Sequence, residues 1–150
     1  MKDSTHLTGT VFITHKDENG EVKEKQNIHN IVVNTGKNYI AQKMSNRTIP
    51  FANVMSAMAV GTESDAAATG QVELEGEAGR VALTSNAISD NTVTYSATFG
   101  AGVGTATLKE AGIFSDTANG RGTMLCRTVF SDIVKASGDS VDVVWNVTVN

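Results

Sequence analysis

Residues 99–114 read FGAGVGTATLKEAGIF, with glycines at 100, 102 and 104 ahead of a threonine. These residue types let a backbone close around a phosphate. A dinucleotide-binding turn, however, needs G-x-G-x-x-G between a strand and a helix, so that the helix N-terminus faces the pyrophosphate. Here the third glycine falls one position early, and TATLKEAGIF suits a strand. A P-loop is excluded because no Gly-Lys-Ser/Thr closes the segment. The segment reads as a turn that joins two strands in a hairpin.

The other reactive residue types are scattered. His6, His15 and His29 lack metal-ligand spacing, and the single cysteine, Cys126, cannot build a thiolate zinc site. The histidines read as surface residues. Asp17, Asn19 and Glu21 surround Gly20 somewhat as in a calcium loop, yet the glycine comes too early and no glutamate closes the loop at the twelfth position. The acidic set Glu63, Asp65, Glu73, Glu75 and Glu77 could gather around a divalent cation, but such a run more simply forms a solvated face that discourages aggregation. No serine or threonine sits in a nucleophile elbow. Cys126 alternates with Met124, Thr128 and Phe130, as a buried thiol would, and alternation turns Arg127 to the opposite face. No catalytic residue, cofactor or metal is expected, and the protein does not read as an enzyme.

Glu110 stands apart. In ATLKEAGIF, alternation puts it on one face with Leu108, Gly112 and Phe114. If that face is core, the carboxylate needs a cation, because an unpaired buried charge is very costly. Arg80, just before Val81-Ala82-Leu83, and Arg127, between Leu125 and Val129, are the candidates for a structural ion pair. An exposed bend at Gly112 would account for Glu110 equally well.

Such residues need elements to hold them. The chain has 150 residues, enough for one domain with a real core, read as residues 1–150. A net charge of −4 argues against a nucleic-acid or anionic-membrane surface. No apolar run reaches the roughly 18–20 residues of a membrane span, and MKDSTHLTGTVF lacks the apolar stretch of a secretory signal. One cysteine suits a reducing cytoplasm.

Strands are expected over 8–16, 52–61, 81–89, 91–99, 105–114, 124–130 and 141–149, with 21–33 returning from a type I′ hairpin turn at Asn19-Gly20. TGKNYIAQKMSNR, about residues 35–47, reads as a helix with Ile40 and Met44 on one stripe, ended before Pro50. Residues 62–78 read as a long surface excursion. The fold class is mainly β: an antiparallel β-sandwich or barrel with one short α-helix.

Several segments resemble small virion proteins of tailed bacteriophages. They are NIVVNTGKNYIAQKM (30–44), MSAMAVGT (55–62), GRVALTS (79–85), VTYSATFGAGVGTATLKEAGIFS (93–115) and GTMLCRTVFSDIVKASGDSVDVVWNVTV (122–149). The resemblance spans roughly residues 30–149 and carries no catalytic residues. It implies a structural protein of the virion, made in the bacterial cytoplasm. The length favours a capsid decoration (cement) protein on the major capsid lattice, where many identical contacts add avidity. The EAGIF strand is also similar to domains that attach tail fibres, so a fibre, collar or adaptor part of the tail or neck is the alternative. A homo-oligomer is expected, with a trimer favoured by the threefold positions of capsid lattices. A carbohydrate-binding β-sandwich is the reading from another class; it would need exposed aromatics, and the one Trp lies on an apolar strand face.

Overall fold

The structure, a computed structural model, describes residues 4–45 and 53–150. In chain order the elements are β1 (Leu7–Lys16), β2 (Val22–His29), β3 (Ile31–Val32), α1 (Asn34–Met44), β4 (Ala57–Gly61), β5 (Glu77–Ala82), β6 (Ser85–Ser89), β7 (Thr92–Phe99), β8 (Thr107–Phe114), β9 (Met124–Val134) and β10 (Ser140–Val149). They form two five-stranded antiparallel sheets. The first has the order β2-β1-β10-β7-β6 and the second β3-β9-β8-β4-β5.

Period-two alternation makes the first sheet one-sided. Val11 and Ile13 of β1, Tyr95, Ala97 and Phe99 of β7, and Val141, Val143, Trp145 and Val147 of β10 all point inward. Opposite them, the second sheet contributes Met58, Val60, Leu108, Ala111, Ile113, Phe130 and Ile133. This is the β-sandwich expected from the alternation. The second sheet differs in being buried on both faces: all five residues of β4 are buried, and so are the last five of β8.

Two glycines allow close approach where a side chain would collide. Gly36, in the first turn of α1, lies against the Leu125 backbone, so a Cβ there would strike the Leu125 carbonyl oxygen. The Thr35 hydroxyl donates to the Met124 carbonyl at 2.8 Å and fixes the same approach. Gly9 of β1 lies beneath the Asn30 side chain, whose Oδ1 accepts the indole N–H of Trp145 at 2.8 Å.

Several boundaries depart from the sequence expectations. The predicted strand 81–89 is two strands in different sheets. The N–H of Leu83 bonds to Ser56 beside β4 while that of Thr84 bonds to Ser96 on β7, so the chain changes sheet between adjacent residues. The glycine-rich 100–104 segment is a turn, but it links β7 of the first sheet to β8 of the second and forms no hairpin. At the β1–β2 turn only Gly20 has a positive φ, of 81°. Asp17 N–H bonds to the Glu21 carbonyl and Gly20 N–H to the Asp17 carbonyl, giving the three-residue loop with glycine in the left-handed position instead of a type I′ turn. The Asp17 carboxylate accepts the Asn19 and Glu21 N–H groups at 2.9 Å each, a turn-closing role rather than a cation site. β9 extends to Val134, four residues beyond expectation. The helix occupies Asn34–Met44; residues 46–47 of the expected helix, Pro50 and the start of the expected strand at 52 lie outside the described residues.

Candidate functional site

The outer face of the second sheet carries the charges singled out in the sequence. Its register sets Arg80 beside Ala59, Ala59 beside Gly112, and Gly112 beside Arg127. The next row sets Glu77 beside Gly61 and Gly61 beside Glu110. Small residues at 59, 61 and 112 leave room for long side chains to lie flat. A register shift between Leu108 and Glu110 reverses the parity of β8. Leu108 therefore faces the central core, whereas Glu110 lies on the outer face with Gly112 and Phe114; strict alternation had placed all four together.

Glu110 and Arg127 are both wholly buried. Arg127 Nε donates to Glu110 Oε2 at 2.9 Å. Nη2 lies 2.9 Å from the same oxygen but off the hydrogen-bond direction. Both residues then reach into the acidic excursion. Glu110 accepts the Gly76 N–H at 2.8 Å and the Glu75 N–H at 3.2 Å. Arg127 Nη1 donates to the Asp65 carbonyl at 2.9 Å and to Gln71 Oε1 at 3.1 Å. Leu74, with Val33, Ala57, Ala59, Phe114 and Met124, makes a second small core beneath this segment. The excursion is thus a cover on the sheet, held by an ion pair that also bonds to the backbone of Asp65, Glu75 and Gly76 and to the Gln71 side chain.

Arg80 does not meet Glu110. It forms a two-pronged pair with Glu77, Nε to Oε1 at 2.8 Å and Nη2 to Oε2 at 2.7 Å. Its Nη1 donates to the carbonyls of Asp116 and Arg121, at 2.9 and 2.7 Å, and so fixes the 115–123 loop. The guanidinium also stacks 3.9 Å from the centre of the Phe114 ring. Each arginine consequently holds one loop.

A further polar cluster sits in the first sheet, where sequence reasoning placed a surface histidine. His15 is buried, 3% exposed, and its Nε2 lies 2.8 Å from Asp139 Oδ2. The same oxygen accepts the Ala136 N–H at 3.0 Å and Lys23 Nζ at 3.2 Å. Nearby, Lys135 Nζ donates to the Gly100 carbonyl at 2.9 Å, and Gly102 N–H to the Ser137 carbonyl. The glycine turn and the 135–139 turn are therefore laced together. No local spacing signals the His15–Asp139 contact, which joins residues 124 apart in the chain.

These bonds hold the Asp139 carboxyl at about 2, through the His15 hydrogen bond first and then the Ala136 N–H. A depressed folded-state value makes the contribution to stability present above the ordinary carboxylate range and lost as pH falls through the folded value. The thermal stability gap between the wild type and Asp139→Asn is therefore expected to be open at neutral pH and to close between about pH 4 and pH 2. Melting curves across that range test it; a gap independent of pH would contradict the assignment.

The assembled chemistry is modest. Cys126 is fully buried, and burial pushes its thiol well above the ordinary range, away from the reactive thiolate. Among the described residues no three His, Cys, Asp or Glu side chains converge as a metal site, the 63–77 acids included. A groove of about 350 Å³ runs between α1 and the first sheet, lined mainly by apolar residues such as Tyr39, Ile40, Val93 and Val147. The ring Nδ1 atoms of His6 and His29 lie 3.3 and 3.4 Å from the backbone carbonyls of Ser4 and Gly9. No helix is long and apolar enough to cross a membrane among the described residues. Comparison with protein-family models, curated proteins and solved structures finds no match.

Proposed function

We propose that this protein is a structural component of a tailed-bacteriophage virion, a decoration module bound to the major capsid lattice. Among the described residues, the observation that carries this reading is that the buried charged side chains are all engaged in fastening loops and turns to the sandwich. Glu110 and Arg127 hold the 62–76 cover, and Lys135 and Asp139 with His15 hold the turns at one end of the first sheet. Chemistry that an enzyme would direct at a substrate is here directed at rigidity, which suits a part that must present a fixed surface many times over. The segments that resemble phage virion proteins supply this framework: α1, β4, β8, β9 and β10 all fall within them.

The carbohydrate-binding alternative finds less support. Trp145 is wholly buried, and among the described aromatic residues only Phe12 is exposed. The tail alternative rests on the EAGIF strand, whose Glu110 has an internal role in this structure.

Quantitative mass spectrometry of purified particles tests the reading. A copy number comparable to that of the major capsid protein is the expected result. A far lower number, matching the symmetry of the tail, would move the protein to the tail or neck. Absence from the particle would overturn the virion assignment.

A further inference from the structure

The two outer faces of the sandwich have different fates. That of the second sheet is covered by the chain's own 62–76 and 115–123 segments, whereas that of the first sheet has no such cover among the described residues. Its outward positions are read from the register. One row runs Asn27, Phe12, Val144, Ser96 and Ser85; the rows on either side carry Thr10, Asn146 and Thr94, and Thr14, Asp142 and Thr98. Phe12 and Val144 are directly opposed, 41% and 38% exposed, and Val144 is on β10, the central strand of the five. The face therefore has an apolar centre and a rim of hydroxyls and amides, the distribution found in stable protein interfaces.

Part of the polar rim is satisfied from within. Thr92 bonds to Thr148 at 2.8 Å, Thr94 to Asn146 at 2.8 Å and Thr98 to Asp142 at 2.7 Å, each across neighbouring strands. Covering these groups would leave few of them unpaired, which removes the main penalty for burying a polar surface.

We infer that this face binds the same face of a second copy, in a two-fold pair centred on Phe12 and Val144. Three observations select that occupant. The apolar pair lies at the middle of the sheet, so a two-fold axis through it buries both copies' Phe12 and Val144 against each other, as a self-complementary patch requires. Charge permits it: Lys16 and Asp142 pair at 2.7 Å, leaving Lys25 as the other formally charged outward residue. The acidic cover that could repel a second copy of this −4 chain is on the other side of the sandwich. Size is sufficient as well. Five strands about 4.8 Å apart, up to ten residues long, make a face on the order of 600–800 Å², close to the roughly 800 Å² per partner of a standard interface.

This inference goes beyond the virion assignment and does not depend on it, since it concerns the free protein. Analytical ultracentrifugation over a wide concentration range, on the wild type, Phe12→Lys, Val144→Lys and the control Val134→Lys, tests it. Val134 is an exposed apolar residue on β9, off this face. The wild type and Val134→Lys should form dimers. Phe12→Lys and Val144→Lys should weaken association at least ~30-fold, as loss of a central anchor does, while their circular dichroism and melting temperature show that they remain folded. A variant that fails this folding check is replaced by the milder Phe12→Ser or Val144→Ser. A wild type that stays monomeric at high micromolar concentration, a trimer, or a dimer unmoved by the central substitutions would overturn the proposal.

Discussion

Glu110→Ala is expected to destabilise the protein by about 3–5 kcal/mol, the range for removing one partner of a buried ion pair. The substitution leaves the Arg127 guanidinium, itself wholly buried, without its counter-charge. It also strands the N–H groups of Glu75 and Gly76. Glu73→Ala, which removes an exposed carboxylate of the same sign from the same segment, should change stability by no more than ~0.5 kcal/mol. Urea unfolding of the two variants makes the comparison, and equal small losses would refute the structural role of the pair.

The location of the damage is as informative as its size. Because Glu110 and Arg127 hold the 62–76 segment, limited proteolysis of the Glu110 variant should cut there well before the sandwich unfolds. Replacing both charges, as in Glu110→Leu with Arg127→Met, would remove the unpaired guanidinium. Full recovery is still not expected, since the loop N–H groups keep no acceptor.

Trp145→Ala should cost a similar amount, about 3–5 kcal/mol, through a large cavity in the centre of the first sheet's inner face. Trp145 is fully buried on β10, the strand with β1 on one side and β7 on the other. Trp145→Phe fills most of that space yet abandons the Asn30 side chain, whose Oδ1 accepts the indole N–H. A loss of about 1–3 kcal/mol is expected for it, the cost of an orphaned buried acceptor. Denaturant unfolding followed by circular dichroism separates the two contributions. Equal losses for Ala and Phe would show that the hydrogen bond, not the ring's volume, dominates.

What could be read without coordinates was what depends on near neighbours in the chain. Alternation along 93–99 and 141–149 marks strands with one buried face, because successive side chains on a strand point to opposite sides whatever they pair with. The glycines of 100–104 mark a turn, since Gly102 and Gly104 take positive φ angles of 78° and 63°. The periodicity of 35–47 gives a helix to within a few residues. Glu110 and two possible arginine partners were also visible, because a carboxylate in an apolar strand is a local anomaly.

The choice between those arginines was not local. It depends on the register of β5, β4, β8 and β9, which seats Arg127 against Glu110 and gives Arg80 its own Glu77. One extra residue at 109 inverts the parity of β8 and sends Leu108 and Glu110 to opposite faces. The 81–89 run looks like one strand because no glycine or proline interrupts it, while the hydrogen bonds of Leu83 and Thr84 go to different sheets. His15 resembles a surface histidine until β10 and its preceding turn bring Asp139 beneath it. Periodicity reports which side of a strand a residue takes; the partner waiting on that side is set by pairing between distant segments, and only the folded sandwich contains it.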